Sequence, residues 1–143
     1  MNLALGRKTT TLFLACSLIS AAAFAHGDWD KLVGNDYVTV FRDNSTTAIE
    51  GPYIRVWTLW SYADPQDDNR GFTYQSSKAL LYADCAERSI AFRTALQYEA
   101  RDGSGTALSD DEKRKSELAF EVPIPDSIGA RWVTTLCPLR LTP

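Results

Sequence analysis

Short runs in which apolar and polar residues alternate recur along the chain and predict a β-sheet. The strongest run covers Tyr53 to Tyr62, where large side chains project alternately to the two sides of an extended backbone. Because both sides are apolar, this strand is expected to lie in the middle of a sheet whose two faces are at least partly covered. The apolar positions are Ile54, Val56, Trp60 and Tyr62 on one face and Tyr53, Trp57 and Leu59 on the other.

Four further runs predict neighbouring strands. Asp36 to Arg42 is rich in β-branched and aromatic residues, and Ser76 to Asp84 reads as a second strand of the same sheet. Arg88 to Tyr98 also alternates, although its Arg, Ala, Leu and Gln residues make a helix the competing interpretation. Alternation over Leu118 to Val122 predicts a short strand that the prolines after it end.

Turn-forming and charged residues separate these runs. Asp43 to Thr47 predicts a turn, Asp64 to Gly71 a loop, and Asp102 to Gly105 a flexible turn. The mixed charges of Ser109 to Ser116 predict a solvated loop or hairpin tip.

The end of the chain predicts a helix after Pro125. Asp126 or Ser127 can cap its first turn, and Pro138 is expected to end it. The fold class is therefore α+β: an antiparallel meander with a C-terminal helix packed on one face. Apolar residues four apart form the helix stripe: Ile128, Trp132 and Leu136.

The N-terminus predicts a cleavable secretory signal. Arg7 and Lys8 precede an apolar stretch over Leu12 to Phe24, which ends in the small residues that signal peptidase prefers around Ala25. Cleavage there removes residues 1–25 and leaves a single domain over residues 26–143 that begins at His26. The apolar stretch is shorter than a bilayer span, so no retained transmembrane anchor is expected.

A second cleavage site stays open as an alternative. Phe13 to Cys16 resembles a lipoprotein box, in which the cysteine would carry a lipid and anchor the protein to a membrane. Cleavage there would shorten the apolar stretch below the usual signal dimensions, so cleavage after Ala25 is the preferred interpretation. The expected location is the periplasm, the outer cell surface or the medium.

The cysteines of the exported domain predict one disulfide bond. With Cys16 removed, Cys85 and Cys137 are an even pair in an oxidising compartment. Closing this loop would stabilise the fold by about 4 kcal/mol in the chain-entropy model. The alternative, a reactive cysteine, needs a histidine or basic neighbour.

Charge and histidine content exclude several functions. The net charge is −3 for the whole chain, and it becomes about −5 without Arg7 and Lys8, which disfavours nucleic acid and anionic lipid as partners. The single histidine, His26, would be terminal, so no catalytic triad, histidine zinc site or cofactor is predicted. Asp64, Asp67 and Asp68 could bind calcium in principle, but solvated turn residues are the preferred reading.

Aromatic residues are numerous and suggest a contact surface. Most belong to the core, but one helix covers only one face of a sheet, so some aromatic side chains are expected on an open face. The candidate binding face comprises Tyr53, Trp57, Lys78, Tyr82 and Arg93.

Several short motifs follow one another in a distinctive order: Val56-Trp57-x-Leu59-x-x-Tyr62, Ser77-Lys78, Tyr82-x-Asp84-Cys85, Arg93, Tyr98, and Trp132 before Cys137. This order resembles the surface-adhesin E family of Gram-negative bacteria. The resemblance implies an antiparallel sheet with a C-terminal helix, a disulfide between Cys85 and Cys137, and dimerisation. It also implies adhesion to host matrix or serum proteins at the cell surface.

Three functional hypotheses follow. The first is an exported, non-enzymatic binding module that mediates protein contact. The second is a periplasmic accessory homodimer without a host ligand. The third is a hydrolase that uses carboxylates alone, for which the sequence offers no means of choosing the pair.

Overall fold

The computed structural model of the protein describes residues 27–68, 70–112 and 117–140. The predicted signal over residues 1–25, with Cys16, and the predicted mature terminus at His26 lie outside these ranges. So do residues 113–116 of the predicted charged loop.

The described residues form a seven-stranded antiparallel sheet with one α-helix. The strand order is β1-β2-β4-β5-β6-β7, and β3 pairs with β4 beside β2. The predicted fold class, a meander with a C-terminal helix and one disulfide, is confirmed. The elements are β1 Trp29–Gly34, β2 Val38–Asp43, β3 Ala48–Glu50, β4 Tyr53–Asp67, β5 Thr73–Asp84, β6 Ser89–Tyr98, β7 Ala107–Glu112 and α1 Ile128–Leu136.

β4 is a central strand, as its two apolar faces predict. β2 and β3 pair with one of its edges and β5 pairs with the other. Ile54 and Val56 have no exposed surface, because α1 packs over this end of the sheet. The buried core cluster consists of Val40, Ile54, Val56, Leu81, Ala83, Trp132 and Leu136.

The predicted loop over Asp64 to Gly71 is too long. β4 continues to Asp67 and β5 begins at Thr73, and these two residues pair beyond a bulge in the β4 register. Backbone pairing needs no apolar side chain, so polar residues at a solvent-exposed hairpin end can extend both strands. The described residues between the two strands are Asp68 and residues 70–72.

Asp68 fixes the turn between β4 and β5. Its carboxylate accepts hydrogen bonds from the backbone N–H groups of Phe72 and Arg70, each at 2.8 Å. The Arg70 guanidinium also donates to it at 3.0 Å. The hydrogen bond from the Phe72 amide is the largest effect and holds the pKa of the Asp68 carboxyl below its ordinary value. Desolvation, the second-largest effect, opposes this, and the Arg70 groups lower the pKa further.

A pH titration checks this arrangement. Since the pKa is lower in the folded protein, the turn's stabilisation is present above the ordinary aspartate pKa and is lost as the pH falls through the lowered value. The amide resonances of Arg70 and Phe72, followed by NMR, should therefore titrate below the ordinary value. In the Asp68→Asn variant this transition should disappear. A Phe72 midpoint at or above the ordinary value would contradict the hydrogen-bond pattern.

The predicted solvated loop over Ser109 to Ser116 is wrong in its first half. β7 runs to Glu112 and pairs with Thr94–Tyr98 of β6. An edge strand tolerates charged residues, which also discourage further pairing, so the charge run does not prevent a strand. The strands β1 and β3 were not predicted at all.

The predicted strand over Leu118 to Val122 is also wrong. Only Glu121 pairs, through two backbone hydrogen bonds with Ile90, and Val122 is 72% exposed. Proline has no backbone N–H, so Pro123 cannot extend the ladder. β6 is a strand as predicted, and the competing helix interpretation of this segment is wrong.

The helix α1 begins and ends close to its predicted bounds. Ser127 is the N-cap residue, and its hydroxyl accepts a hydrogen bond from the Ala130 N–H at 3.2 Å. Trp132 and Leu136 have no exposed surface, which confirms the apolar stripe. A 3-10 turn, Cys137–Arg140, follows α1 and contains Pro138.

The predicted disulfide bond joins Cys85 and Cys137, whose Cα atoms are 5.4 Å apart. Cys85 lies in the turn between β5 and β6, and Cys137 directly follows α1. The bond therefore fixes the end of the helix to one end of the sheet.

Candidate functional site

Four residues of the predicted binding face lie on the side of the sheet that faces away from α1. Tyr53 and Trp57 alternate along β4 with the core residues beneath the helix, and Tyr82 and Lys78 lie on β5 beside them. Arg93 differs, because it is the extra residue of a bulge between β6 and β5. The five residues therefore do not form a single flat row.

Lys78 is engaged within the fold. Its ammonium lies 5.9 Å from the centre of the Trp29 ring and 5.1 Å from the centre of the Tyr98 ring. Both distances fall within cation–π range. Gly103, with a φ of 68°, lies so close to the Lys78 side chain that a Cβ there would clash with it. Lys78 thus ties β5 to β1, β6 and the turn after β6.

Tyr82 is buried, with 1% of its surface exposed, so this side chain does not meet the expectation of an open face. Its hydroxyl donates a hydrogen bond to the Glu50 carboxylate at 3.3 Å, and Glu50 also pairs with Arg55 at 3.1 Å. The Tyr53 ring packs edge-on against it at 6.2 Å, and Phe120 stacks on Tyr53 at 4.9 Å. The segment before α1 therefore covers this end of the second face.

Trp57 is half-buried at the gap between β2 and β3. Its backbone N–H donates a hydrogen bond to the Thr46 hydroxyl at 3.1 Å, which replaces a partner on a neighbouring strand. The structure therefore brings Tyr53 and Tyr82 into contact, while Lys78 belongs to a separate cation–π cluster. A role for the five residues in binding stays a prediction.

The face beneath α1 is only partly covered, because both ends of the helix lie at the same end of the sheet. Gly129 is close to Ile90 at the start of β6, and Cys137 is bonded to Cys85 just after β5. The helix covers the end of β4 that carries Ile54 and Val56. Among the described residues, nothing comparable covers the end with Trp60 and Tyr62.

This uncovered end forms what we call the aromatic shelf. It encloses a shallow depression of about 240 Å³. The Trp60 and Phe92 rings meet edge-on at 6.2 Å, and Phe92 is 36% exposed. Its residues are Trp60, Tyr62, Ser77, Ala79 and Phe92.

Buried hydrogen bonds fix the Trp60 ring. Its indole N–H donates to the Thr58 hydroxyl at 3.1 Å, and that hydroxyl donates to the Ala79 carbonyl at 2.9 Å. Thr58 has no exposed surface. The orientation of Trp60 is thus set before any partner arrives, which lowers the entropy cost of a contact.

None of the described residues that line the aromatic shelf is charged. Burial raises the pKa of the Tyr62 phenol above its ordinary value of 10.0, and a hydrogen bond with Ser77 offsets this only in part. The Tyr74 ring packs edge-on against Tyr62 at 5.7 Å. Tyr62 is therefore neutral at physiological pH, and the surface offers rings and hydroxyls rather than ions.

The sequence pattern does not distinguish the aromatic shelf from the core. It places Trp60 and Tyr62 on the same face as Ile54 and Val56, which suggests a common core. No sequence signal separates them, because the placement of α1 depends on its packing against the sheet. The position of Phe92 against Trp60 likewise depends on a bulge that forms when β6 pairs with β5.

Two further observations concern metal binding and helices that could cross a membrane. In residues 27–68, 70–112 and 117–140, no three side chains of His, Cys, Asp or Glu are grouped so that they could hold a metal ion. Over the same ranges, no helix has the length and apolar character required to cross a bilayer.

Comparison with models of known protein families shows the family to which this chain belongs. The family model for surface-adhesin protein E matches residues 29–138. The chain belongs to this family. The match covers the whole sheet, α1 and both cysteines of the disulfide, in agreement with the resemblance seen in the motifs.

Solved structures of protein E from Haemophilus influenzae share the fold. One superposes with a TM-score of 0.56 and 12% identity, covering 80% of this chain and 86% of the other. A second crystal form gives a TM-score of 0.59 and 12% identity, with 82% and 92% covered. The sequence comparison with curated proteins gave no significant match. Membership of an adhesin family, rather than an enzyme family, supports an adhesin-like protein that is exported or located at the surface.

Proposed function

We propose that this adhesin E family member is an exported, non-enzymatic binding module that attaches to other proteins at the cell surface. The aromatic shelf is the observation that carries the proposal. It presents a shallow, uncharged aromatic surface that stays partly exposed among the described residues. Matrix or serum proteins are the partners we propose, because the family resemblance implies them.

The composition of the aromatic shelf suits contact with a protein. Tryptophan and tyrosine are enriched at the energetic centres of protein interfaces, where they bury a large area with few rotatable bonds. The half-buried Trp60 and Tyr62 give such anchors, and Ser77 adds a hydroxyl between them. Since these lining residues are neutral, a partner removes no ion from water when it covers them.

A substitution within the aromatic shelf tests the proposal. Phe92→Ser should weaken binding of residues 26–143 to immobilised basement-membrane extract or serum by roughly tenfold, since truncation of an interface anchor costs about 1–2 kcal/mol. Biolayer interferometry measures this change. Phe72→Ser is a matched control, because Phe72 is 49% exposed but lies beside the β4–β5 turn.

A second variant protects the result against misfolding. Ser77→Arg places a charged side chain on the half-buried floor of the aromatic shelf and should weaken binding as Phe92→Ser does. Thermal unfolding of each variant establishes that the fold is retained. Equal binding by wild-type protein, Phe92→Ser and Ser77→Arg would refute a role for this surface.

Cell fractionation with mass measurement tests the location. A free product that begins at His26 supports cleavage after Ala25, whereas a lipid-modified product that begins at Cys16 would show surface anchoring. A protein confined to the periplasm as a homodimer, with no affinity for matrix or serum proteins, would favour the accessory role over adhesion.

A further inference from the structure

A second concave surface lies on the α1 side of the sheet, at the end opposite the aromatic shelf. It is a cleft of about 380 Å³, a volume within the range typical of small-molecule sites. We call it the C-terminal cleft, because the 3-10 turn Cys137–Arg140 forms one wall and β3 forms the other. The disulfide bond at Cys137 fixes the first of these walls to the sheet.

The body of the C-terminal cleft is apolar. Ile49 on β3 is 61% exposed and Leu139 on the opposite wall is 40% exposed, although both are large hydrophobic residues. Ile54, which pairs with Ile49 and has no exposed surface, lies behind them, with Ala48 alongside. Two aliphatic side chains are therefore available to bury an apolar ligand between them.

One end of the C-terminal cleft carries an arginine that is ion-paired with Asp30. The Arg42 side chain lines it and is 21% exposed. Its Nη2 atom lies 3.9 Å from the Asp30 carboxylate, which is beyond hydrogen-bond distance. Asn44 donates a hydrogen bond of 2.6 Å to the same carboxylate oxygen. Within the described part of the chain, the guanidinium donates no hydrogen bond, so its donors remain available to a ligand.

We propose that the C-terminal cleft binds a small amphiphile with one carboxylate, whose apolar body packs between Ile49 and Leu139 while Arg42 binds the carboxylate. Charge complementarity selects an anion, since a planar guanidinium binds a carboxylate through two parallel hydrogen bonds. The proposal concerns a free amphiphile from solution. It is independent of the protein-binding role of the aromatic shelf, because the two surfaces share no lining residue.

Isothermal titration with octanoate tests the proposal, with octylamine and octanol as probes of the same apolar body. Octanoate should bind saturably and more tightly than either. Arg42→Gln should weaken octanoate binding by roughly tenfold or more, because a charge-assisted hydrogen bond is lost, and should leave octanol binding unchanged. Arg131→Gln, an exposed position on α1, is the matched control.

Asp30→Asn gives a readout that structural damage would not produce. The amide oxygen can still accept the hydrogen bond from Asn44, while the charge that competes for Arg42 is removed. Octanoate should therefore bind more tightly to this variant than to the wild-type protein. Ile49→Ser changes an exposed residue and should weaken all three probes.

Several outcomes would overturn the proposal. These are octylamine binding as tightly as octanoate, octanoate affinity unchanged in Arg42→Gln with the fold retained, or weaker binding by Asp30→Asn. Binding to vesicles of anionic phospholipid without saturable binding of octanoate would also overturn it. If Arg42→Gln fails to fold, Asp30→Asn and Ile49→Ser still decide the question.

Discussion

Replacing Trp132 by alanine should lower the free energy of unfolding by about 3–5 kcal/mol. Trp132 has no exposed surface, and it joins α1 to the sheet through a cluster that includes Val40, Ile54 and Leu81. Alanine would remove the whole indole and leave a cavity that a sheet held by its hydrogen bonds cannot close. Urea denaturation of the oxidised protein, followed by circular dichroism, measures the change.

Two companion variants sharpen this prediction. In the described part of the structure, the Trp132 indole N–H is buried and has no hydrogen-bond partner. Trp132→Phe removes that donor along with part of the ring, so it should lower the free energy of unfolding less than Trp132→Ala does. Arg131→Ala, at the exposed neighbouring position, should change stability by less than about 0.5 kcal/mol. A loss below about 1 kcal/mol for Trp132→Ala would show that the helix does not depend on this contact.

The elements with strong side-chain patterns could be predicted from the sequence. The two apolar faces of Tyr53 to Tyr62 identify a central strand, because only burial on both sides makes that pattern favourable. The spacing of Trp132 and Leu136, together with the cap at Ser127, identifies α1, because apolar residues four apart lie on one face of a helix and are buried together. In each case the side chains themselves carry the information.

Elements formed by backbone pairing could not be predicted in the same way. β7 is rich in charged residues, and its formation depends on the hydrogen-bonding groups of β6 at its side. The far end of β4 is likewise polar and is extended by pairing with Thr73 and Tyr74 of β5. Local composition favours a loop in both places, whereas a neighbouring strand supplies the partners that local composition does not reveal.

The candidate site could likewise be predicted only in part. The sequence predicts many aromatic side chains on a sheet, but it does not predict which of them the rest of the chain covers. Tyr82 is buried where Tyr53 packs against it and Phe120 stacks on Tyr53, whereas Trp60 stays partly open because α1 packs on the other end of the sheet. Exposure at each position depends on the length and placement of a covering segment, which are tertiary properties.

Removing the disulfide bond should cost about 4 kcal/mol, because the loop it closes spans 52 positions and its entropy is restored to the unfolded chain. The expected variant is Cys85→Ala with Cys137→Ala, compared with the oxidised wild-type protein in urea. A loss of about 4 kcal/mol is a large share of the free energy of unfolding of a typical domain, which is roughly 5–15 kcal/mol.

The effect should fall mainly on the unfolded state, which gives the experiment its controls. Trp132 and Leu136, which are buried in the oxidised protein, should stay buried without the bond, so the tryptophan fluorescence of the folded double variant should match that of the wild-type protein. Dithiothreitol should destabilise the wild-type protein to the level of the double variant and leave the double variant unchanged. If the wild-type protein instead keeps its full stability when both thiols are reduced and alkylated, the bond contributes nothing and side-chain packing alone holds α1 on the sheet.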